Sequence, residues 1–333
     1  MRTDRTPSTF DKASADEEVR RILLIRNDNI GDLVCSIPAI QLFRKSFPNA
    51  EIDLLVNSYN APVVRPLVPG WVNRLVIYQK TKHIGLSLGQ MRHLWKFYSG
   101  LRAAHYDMTV LLVGGFSRQS FSFAKCTKAP RVIGYDLPDG KIPFKEGSHE
   151  VDYSWRLACA ACGMQSLPPE EIHYPLRATG SRVALQITSR KAGNRWEAEA
   201  FAELIRRMAT GGKQKLILLW SPGNATTPTH PGDDEKASEI LRRVPSLVDP
   251  RPTATIGELL DVLKECRTLV TPDGGAMHLG AAMGLRVVAM FGSSDPVRWR
   301  PWTPRAKVLQ SPTRSISDIS VDEVYQGFLA LDS

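Results

Sequence analysis

Residues 21–57 read RILLIRNDNIGDLVCSIPAIQLFRKSFPNAEIDLLVN and decide the fold class of this chain. The stretch opens with an apolar run at Arg21–Arg26, passes through a polar loop, and then repeats apolar residues at helical spacing toward Phe47. A second apolar run follows at Glu51–Asn57. A strand, a helix and a strand in this order predict a βαβ unit with parallel strands. Pro38 lies inside the predicted helix and should either bend it or mark its true first turn.

The same alternation continues on both sides of a break near the middle of the chain. In the first half, further strands are predicted at Arg74–Tyr78, Asp107–Val113 and Arg131–Gly134. Ser166–Thr179 contains three prolines and no periodicity, which is typical of a linker. The alternation restarts with the apolar run at Arg182–Thr188. Two successive α/β units are therefore predicted.

These patterns predict an α/β protein with two Rossmann-like domains. A disordered lead-in is expected over residues 1–18, an N-terminal domain over 19–165 and a linker over 166–180. The C-terminal domain is expected over 181–315, and a helix within 316–333 is expected to pack back toward the N-terminal domain. A length of 333 residues suits two α/β domains of about 150 residues each.

The charge balance restricts the class of partner. Lys and Arg total 43 against 34 Asp and Glu, and the formal net charge of +9 favours anionic partners. The basic residues form no consecutive block and are not interleaved with aromatic residues, so a nucleic-acid partner is not expected. There is no apolar run of about 18 residues and no secretory signal, so a cytoplasmic protein is expected.

The loop Arg26–Asp32 (RNDNIGD) is the first candidate site. It follows the first strand, and open α/β sheets bind ligands beyond the carboxyl ends of their strands. Gly31 permits close approach to the backbone, and Asp32 adds a carboxylate in the first helical turn. An acid there also complements the helix dipole, so a purely structural role for Asp32 stays open. The loop lacks the GxGxxG and GxxxxGK[ST] patterns of nicotinamide and P-loop sites.

The stretch Leu269–Trp302 (LVTPDGGAMHLGAAMGLRVVAMFGSSDPVRWRPW) is the second candidate. A strand ends at Pro272, and a helix is predicted to start within Asp273–Ala276. Free N–H groups at a helix start bind anions, and the adjacent Gly274 and Gly275 let a pyrophosphate reach them. A helix capped by Asp273 explains the acid and one glycine. It does not explain His278 or the later glycine-bearing loop FGSSDP.

The stretch Gln186–Phe201 (QITSRKAGNRWEAEAF) places further polar residues at a strand end. Thr188 and Ser189 offer hydroxyls, and Lys191 and Arg195 offer positive charge to a phosphate. Taken alone, such a stretch is more typical of a solvated loop. Its place in the same domain as the Asp-Gly-Gly turn favours a shared crevice.

Together these stretches resemble glycosyltransferase family 9, the ADP-heptose:lipopolysaccharide heptosyltransferases. Residues 21–56 resemble the opening of the family, residues 188–205 (TSRKAGNRWEAEAFAELI) its middle motif, and residues 271–302 its closing signature. The resemblance implies a GT-B fold, in which two Rossmann-like domains face a central cleft. It also implies an inverting, metal-independent transfer that needs no cofactor. The implied donor is a nucleotide-diphosphate sugar, with ADP-heptose as the best candidate. The implied acceptor is an anionic glycolipid or glycan, which the protein could meet through peripheral contact with the inner membrane.

The resemblance also gives roles to single residues. Asp32 matches the general base that deprotonates the acceptor hydroxyl, with Gly31 opening the acceptor site. The residues expected to bind the donor are Thr188, Ser189, Lys191, Arg195, Asp273, Gly274, Gly275, Ala276 and His278. Separately from the resemblance, the side of the first domain that would meet the acceptor carries several basic residues that could form a rim for an anionic group, and a solvated helix face stays open as the alternative for each of them: Lys80, Lys82, His83, Arg92, His93 and Lys96.

Some features depart from the family pattern. Asn194 stands where the family usually has Lys, and Gly274 stands where Thr is common. The loop Ser221–Asp233 is extended where the nucleoside of the donor is expected, and its ribose contact is open between Asp234 and Glu235. Two alternatives to the transferase therefore stay open: a nucleotide-sugar-binding protein without turnover, and a GT-B sugar-nucleotide epimerase.

Overall fold

The computed structural model describes residues 19–79, 87–115, 117–134, 142, 144–211, 215–226 and 231–332. The strands of the first half are β1 (Arg21–Ile25), β2 (Glu51–Asn57), β3 (Arg74–Tyr78), β4 (Met108–Leu111) and β5 (Arg131–Ile133). Its helices are α1 (Ile30–Cys35), α2 (Ile37–Ser46), α3 (Ala61–Val64), α4 (Leu88–Ala103), α5 (Arg118–Thr127) and α6 (Glu150–Ala161). The five strands form one parallel sheet in the order β3-β2-β1-β4-β5.

The second half forms a separate parallel sheet. Its strands are β6 (Arg182–Gln186), β7 (Leu216–Trp220), β8 (Val248–Pro252), β9 (Cys266–Pro272), β10 (Arg286–Phe291) and β11 (Ala306–Gln310), in the order β11-β10-β9-β6-β7-β8. Its helices are α7 (Ala198–Thr210), α8 (Asp234–Arg243), α9 (Ile256–Lys264), α10 (Gly275–Ala282), α11 (Pro296–Trp299) and α12 (Val321–Asp332). The predicted α/β class with two parallel sheets is confirmed.

Each sheet reverses its winding direction at one central pair of strands. In the first sheet β1 pairs with both β2 and β4, and in the second β6 pairs with both β7 and β9. A crevice opens beyond the carboxyl ends of the strands at such a switch point, and ligands bind there in open α/β sheets. The three candidate stretches follow β1, β6 and β9, so each lies at one of the two switch points.

The first predicted helix is divided into α1 and α2 at Ser36. Pro38 is the second residue of α2, where its missing N–H removes no intrahelical hydrogen bond. Pro38 therefore marks a first turn, which was one of the two expectations. The lead-in over residues 1–18 lies outside the described residues.

The C-terminal helix α12 was expected to pack toward the N-terminal domain, but it packs on the C-terminal half. Its Val324 and Phe328, one turn apart, are buried in a cluster with Trp196 and Val288 of the C-terminal half. Trp196 also donates its indole N–H to the carbonyl of Ile319 at 2.9 Å, just ahead of α12. The apolar face of α12 thus covers the second sheet and α7, which would otherwise expose their own apolar residues. Within the described ranges, no helix has the length and apolar character needed to span a bilayer.

Candidate active site

The two switch points meet through α1 and α10. A Cβ added to Gly31 would lie 2.6 Å from Cδ2 of His278, and one added to Gly275 would lie 3.0 Å from Cβ of Ile30. Both glycines are therefore required by the close approach of the two halves and not by backbone torsion. The first and second candidate stretches, predicted separately, form one interdomain site.

Asp32 faces a cavity on the N-terminal side of this contact. Its carboxylate accepts hydrogen bonds from Nη2 of Arg26 at 3.3 Å and from Nδ2 of Asn29 at 3.0 Å. The side chain keeps 14% of its surface exposed, so it is oriented by partners and still reachable. The cavity has a volume of about 320 Å³ and lies between the ends of β1 and β4, where it is also lined by Asp28, Gly114 and Arg298.

Arg26 was not predicted as a site residue, and it organises the carboxylates. Its guanidinium is fully buried and lies 3.1 Å from Asp28 and 2.8 Å from Glu150, in addition to its bond to Asp32. A buried charge is stable only with partners. A cation at the end of a buried strand is thus a sequence signal that could have marked this residue.

Glu150 links this cluster to the C-terminal half. It begins α6, is fully buried, and its second carboxylate oxygen lies 2.9 Å from Nη2 and 3.1 Å from Nε of Arg298. Burial alone raises the pKa of a carboxyl group, but the guanidinium groups of Arg26 and Arg298 outweigh burial and hold the pKa of Glu150 below its ordinary value. The pair is therefore an ionised interdomain bridge.

Asp28 is a second carboxylate in the cavity. Burial, reinforced by the neighbouring Asp32 charge, raises its pKa, while the Arg26 guanidinium opposes the increase. Asp28 thus binds a proton more readily than a solvated aspartate, and two carboxyl groups are available beside any hydroxyl in this cavity.

On the C-terminal side, the middle motif and the closing signature are joined by hydrogen bonds. Nδ2 of the buried Asn194 donates to Asp273 at 3.1 Å and to the hydroxyl of Ser294 at 3.1 Å. Lys191 donates to the same Ser294 hydroxyl at 3.0 Å, and Ser189 donates to the Asp273 carbonyl at 3.4 Å. The predicted shared crevice thus brings Lys191, Ser189 and Asp273 together.

The start of α10 is left uncapped by any side chain. Gly274 occupies the N-cap position in an extended conformation (φ 169°, ψ −177°), so Asp273 is not the cap. A Cβ on Gly274 would meet nothing within 4 Å, which places open space beside it. The first N–H groups of a helix have no intrahelical acceptor and carry the positive end of its dipole. Gly275, Ala276 and Met277 therefore present a site for an anion.

Comparison with known proteins points to one family. The profile of glycosyltransferase family 9 (heptosyltransferase) matches residues 176–326. This part of the chain is therefore similar to glycosyltransferase family 9. Lipopolysaccharide heptosyltransferase 1 of Escherichia coli O18:K1:H7 is 22% identical over an alignment of 334 residues, gaps included. The alignment spans 92% of this chain and 96% of the relative.

Solved structures support the same fold for this chain. The structure titled E. coli heptosyltransferase WaaC with ADP superimposes with a TM-score of 0.78 at 19% identity, covering 93% of this chain and 99% of the other. WaaC with ADP-2-deoxy-2-fluoro heptose gives 0.76 at 18% identity, covering 94% and 100%. The expected GT-B arrangement is thereby confirmed.

Two of the predicted donor-binding residues have other partners in the structure. The Thr188 hydroxyl accepts the N–H of Ser221 at 2.9 Å. Arg195 forms an ion pair with Asp233 at 3.0 Å and donates to the Ser189 carbonyl at 2.9 Å. Both side chains therefore hold the loop after β7. Of the two predicted cations, Lys191 is better placed than Arg195 to contact a phosphate of the donor.

Asp234, one of the two residues considered for the ribose contact, has other partners in the structure. Asp234 accepts the indole N–H of Trp220 at 2.8 Å and the backbone N–H of Gly223 at 2.8 Å. Both of its oxygens are used to close the loop after β7. Asp234 is thus a structural residue here.

His278 lies buried between the two halves. Burial lowers its pKa, against the opposing charges of Asp273 and Asp32. Its Nδ1 lies 3.7 Å from Sγ of Cys35, and its ring edge occupies the space that a side chain at Gly31 would need. His278 therefore fills the interdomain contact.

The expected basic rim is only partly within the described residues. Arg92, His93 and Lys96 lie exposed on α4, whereas the predictions for Lys80, Lys82 and His83 fall outside the described ranges. In the part of the chain that the structure describes, no group of three or more His, Cys, Asp or Glu residues is arranged to hold a metal ion.

Proposed function

We propose that this chain is a glycosyltransferase that transfers heptose from ADP-heptose to an acceptor of the lipopolysaccharide core or a related surface glycan, with inversion at the anomeric carbon. The names of the similar heptosyltransferases support the donor and the acceptor class. One observation carries the proposal. The Asp32 loop and the start of α10, which come from different domains, are in contact through Gly31 and His278.

The donor diphosphate lies at the start of α10 in this proposal. The N–H groups of Gly275 and Ala276 and the ammonium of Lys191 contact its oxygens. Negative charge grows on the diphosphate as its bond to the sugar breaks, so fixed dipoles and a cation stabilise the transition state more than the ground state. This charge stabilisation makes protonation of the leaving group unnecessary.

The acceptor hydroxyl lies in the cavity beside Asp32. It attacks the anomeric carbon from the face opposite the diphosphate, so one C–O bond forms as the other breaks and the configuration inverts. Asp32 takes the hydroxyl proton as general base, while Arg26 and Asn29 fix the orientation of its carboxylate. The site thus acts by positioning both substrates and by removing one proton.

We propose that no metal ion takes part. The start of α10 and Lys191 offer the positive charge that a divalent cation would otherwise bring to the diphosphate. Treatment with EDTA followed by gel filtration should leave the rate of ADP release unchanged. A loss of rate that Mg²⁺ or Mn²⁺ restores would contradict this part of the proposal.

The acceptor is proposed to be an anionic glycolipid that the protein meets at the inner face of the cytoplasmic membrane. The net charge of +9 supports an anionic acceptor. A cytoplasmic location follows from the donor, since nucleotide sugars are made there.

The test is to incubate the protein with ADP-heptose and a heptose-deficient lipopolysaccharide core, and to follow ADP release and the acceptor mass. The proposal expects ADP release that depends on acceptor, a heptosylated product, and an inverted anomeric proton signal by NMR. Donor binding without any product would favour the non-catalytic alternative. Conversion of the free sugar nucleotide in the absence of acceptor would favour the epimerase.

A further inference from the structure

Helix α4 is unusually exposed for a helix of its length. Leu101 is the one buried residue among its 16. Its second half is anchored through Phe97 and Tyr98, whose rings pack 5.5 and 5.8 Å from the ring of Phe123 in α5. The first half of α4 therefore stands out from the domain.

This exposed half carries large apolar side chains on one face. Leu88, Met91 and Trp95 are 82%, 45% and 72% exposed. Their spacing of three and four residues aligns them along one side of the helix. A contiguous exposed apolar stripe marks an interaction surface, whereas singly scattered apolar residues do not.

The Lys and Arg residues of α4 and α5 have no acidic counterpart within these two helices. The sequences of α4 and α5 contain no Asp or Glu, and they carry five exposed cations: Arg92, Lys96, Arg102, Arg118 and Lys125. Phe121 of α5 adds a further apolar ring that is 36% exposed. We define Leu88, Met91, Trp95 and Phe121 with these five cations as the α4–α5 face.

We propose that the α4–α5 face docks onto an anionic lipid bilayer. Trp and aliphatic side chains flanked by Lys and Arg are the composition of helices that lie in the plane of a membrane interface, where the apolar groups insert and the cations contact lipid phosphates. A second copy of the chain is a poorer occupant, because two such faces would bring like charges together.

The place of α5 gives this docking a purpose, which rests on the proposed function. The first turn of α5 and its N-cap, through Ser117 and Ser120, line the cavity that holds Asp32. The same helix packs on α4 through Phe123, one turn beyond Ser120. Docking through the α4–α5 face therefore sets the acceptor cavity beside the bilayer, where the sugar of a membrane-anchored glycolipid reaches it without leaving the lipid.

The test is cosedimentation of the full chain with vesicles, in the absence of donor and acceptor. Vesicles of phosphatidylethanolamine and phosphatidylglycerol (3:1) should bind the protein, vesicles of phosphatidylcholine alone should bind it weakly, and added salt should release it. Trp95→Ser should weaken binding on the order of 10-fold, and each of Arg92→Ser and Lys96→Ser should weaken it about 5-fold.

A matched control uses an exposed leucine elsewhere. Leu88→Ser and Leu167→Ser remove side chains that are 82% and 89% exposed, but only Leu88 belongs to the face. Leu88→Ser should reduce vesicle binding, and Leu167→Ser should not. Trp95→Ser and Leu88→Ser should keep wild-type rates on a detergent-free, delipidated core acceptor and lose rate only on acceptor held in vesicles, whereas Leu167→Ser should keep its rate on both.

Equal vesicle binding by Trp95→Ser and wild type would overturn the docking face, as would a dimer that Trp95→Ser dissociates while vesicles bind neither protein. Failure of sugar transfer with every acceptor, alongside normal vesicle binding, would instead overturn the proposed function and leave the docking face standing.

Discussion

Nη2 of Arg298 lies 2.9 Å from a carboxylate oxygen of Glu150, and this ion pair crosses from the C-terminal half to the N-terminal half. The other carboxylate oxygen of Glu150 contacts Arg26, which in turn contacts Asp32. A continuous chain of charged groups therefore runs from the second domain to the proposed base. The approach of the two halves and the orientation of Asp32 are physically connected.

Arg298→Met should destabilise the protein by about 2 kcal/mol, because it leaves Glu150 buried with one cationic partner in place of two. Arg305→Met is the control, since it removes an exposed Arg–Glu pair at 3.0 Å to Glu171 and should cost less than about 0.5 kcal/mol. Urea unfolding measures both. Equal effects of the two substitutions would contradict a special role for the Arg298–Glu150 pair.

Gly31→Ala should cost about 1–3 kcal/mol, because its Cβ would meet the ring of His278 at 2.6 Å and force the halves apart. Gly100→Ala is the matched control in a helix with open space around the added methyl, and should stabilise the protein by about 0.5–1 kcal/mol. In a double-mutant cycle, His278→Ala should recover part of the loss from Gly31→Ala. Strict additivity of the two substitutions would show that the halves do not meet there in solution.

His149 should make the free energy of unfolding depend on pH. Burial lowers the pKa of His149 to about 3, against an ordinary value of 6.5. Its Nδ1 accepts the N–H of Val151, and its Nε2 lies 2.9 Å from the carbonyl of Arg300, so the neutral ring joins α6 to the second half. The unfolded chain takes up a proton below pH 6.5 and the folded chain does not, so stability decreases as the pH falls from 7 toward 3.

His149→Asn removes this titration and keeps a side chain that caps α6. Between pH 7 and pH 5, the free energy of unfolding should fall by about 2 kcal/mol more in the wild type than in the variant. Urea titrations at the two pH values measure the difference. Parallel pH dependence of both proteins would show that His149 is accessible to protons in the folded state.

The sequence predicted the two sheets, and it placed both candidate loops at strand ends, because these features depend on local patterns. Continuous apolar runs such as LLI of β1 determine buried parallel strands, and glycine beside an acid after a strand marks a ligand loop. Residues 26–32 and 273–278 were singled out in this way, and the switch points explain why the two loops come together.

The charged cluster could not be found by the same means. Glu150 follows His149 at a helix start, where an acid is ordinarily explained by the helix dipole. Its partner Arg26 is 124 residues away in the sequence, and Arg298 is 148 residues away on the other side. Such pairs depend on how two domains dock. The packing of α12 on its own sheet was missed for a related reason, because its apolar face fits either half.

The central claim is that Asp32 removes the acceptor proton while the donor is held by other groups. The direct measurement is single-turnover transfer of heptose by Asp32→Asn, with ADP affinity determined by calorimetry and Asp28→Asn as the matched carboxamide control. We predict that Asp32→Asn lowers the transfer rate by about 10²- to 10⁴-fold, leaves ADP affinity unchanged, and is far more damaging than Asp28→Asn. Near-normal transfer by Asp32→Asn, or loss of transfer in Asp28→Asn alone, would contradict the account.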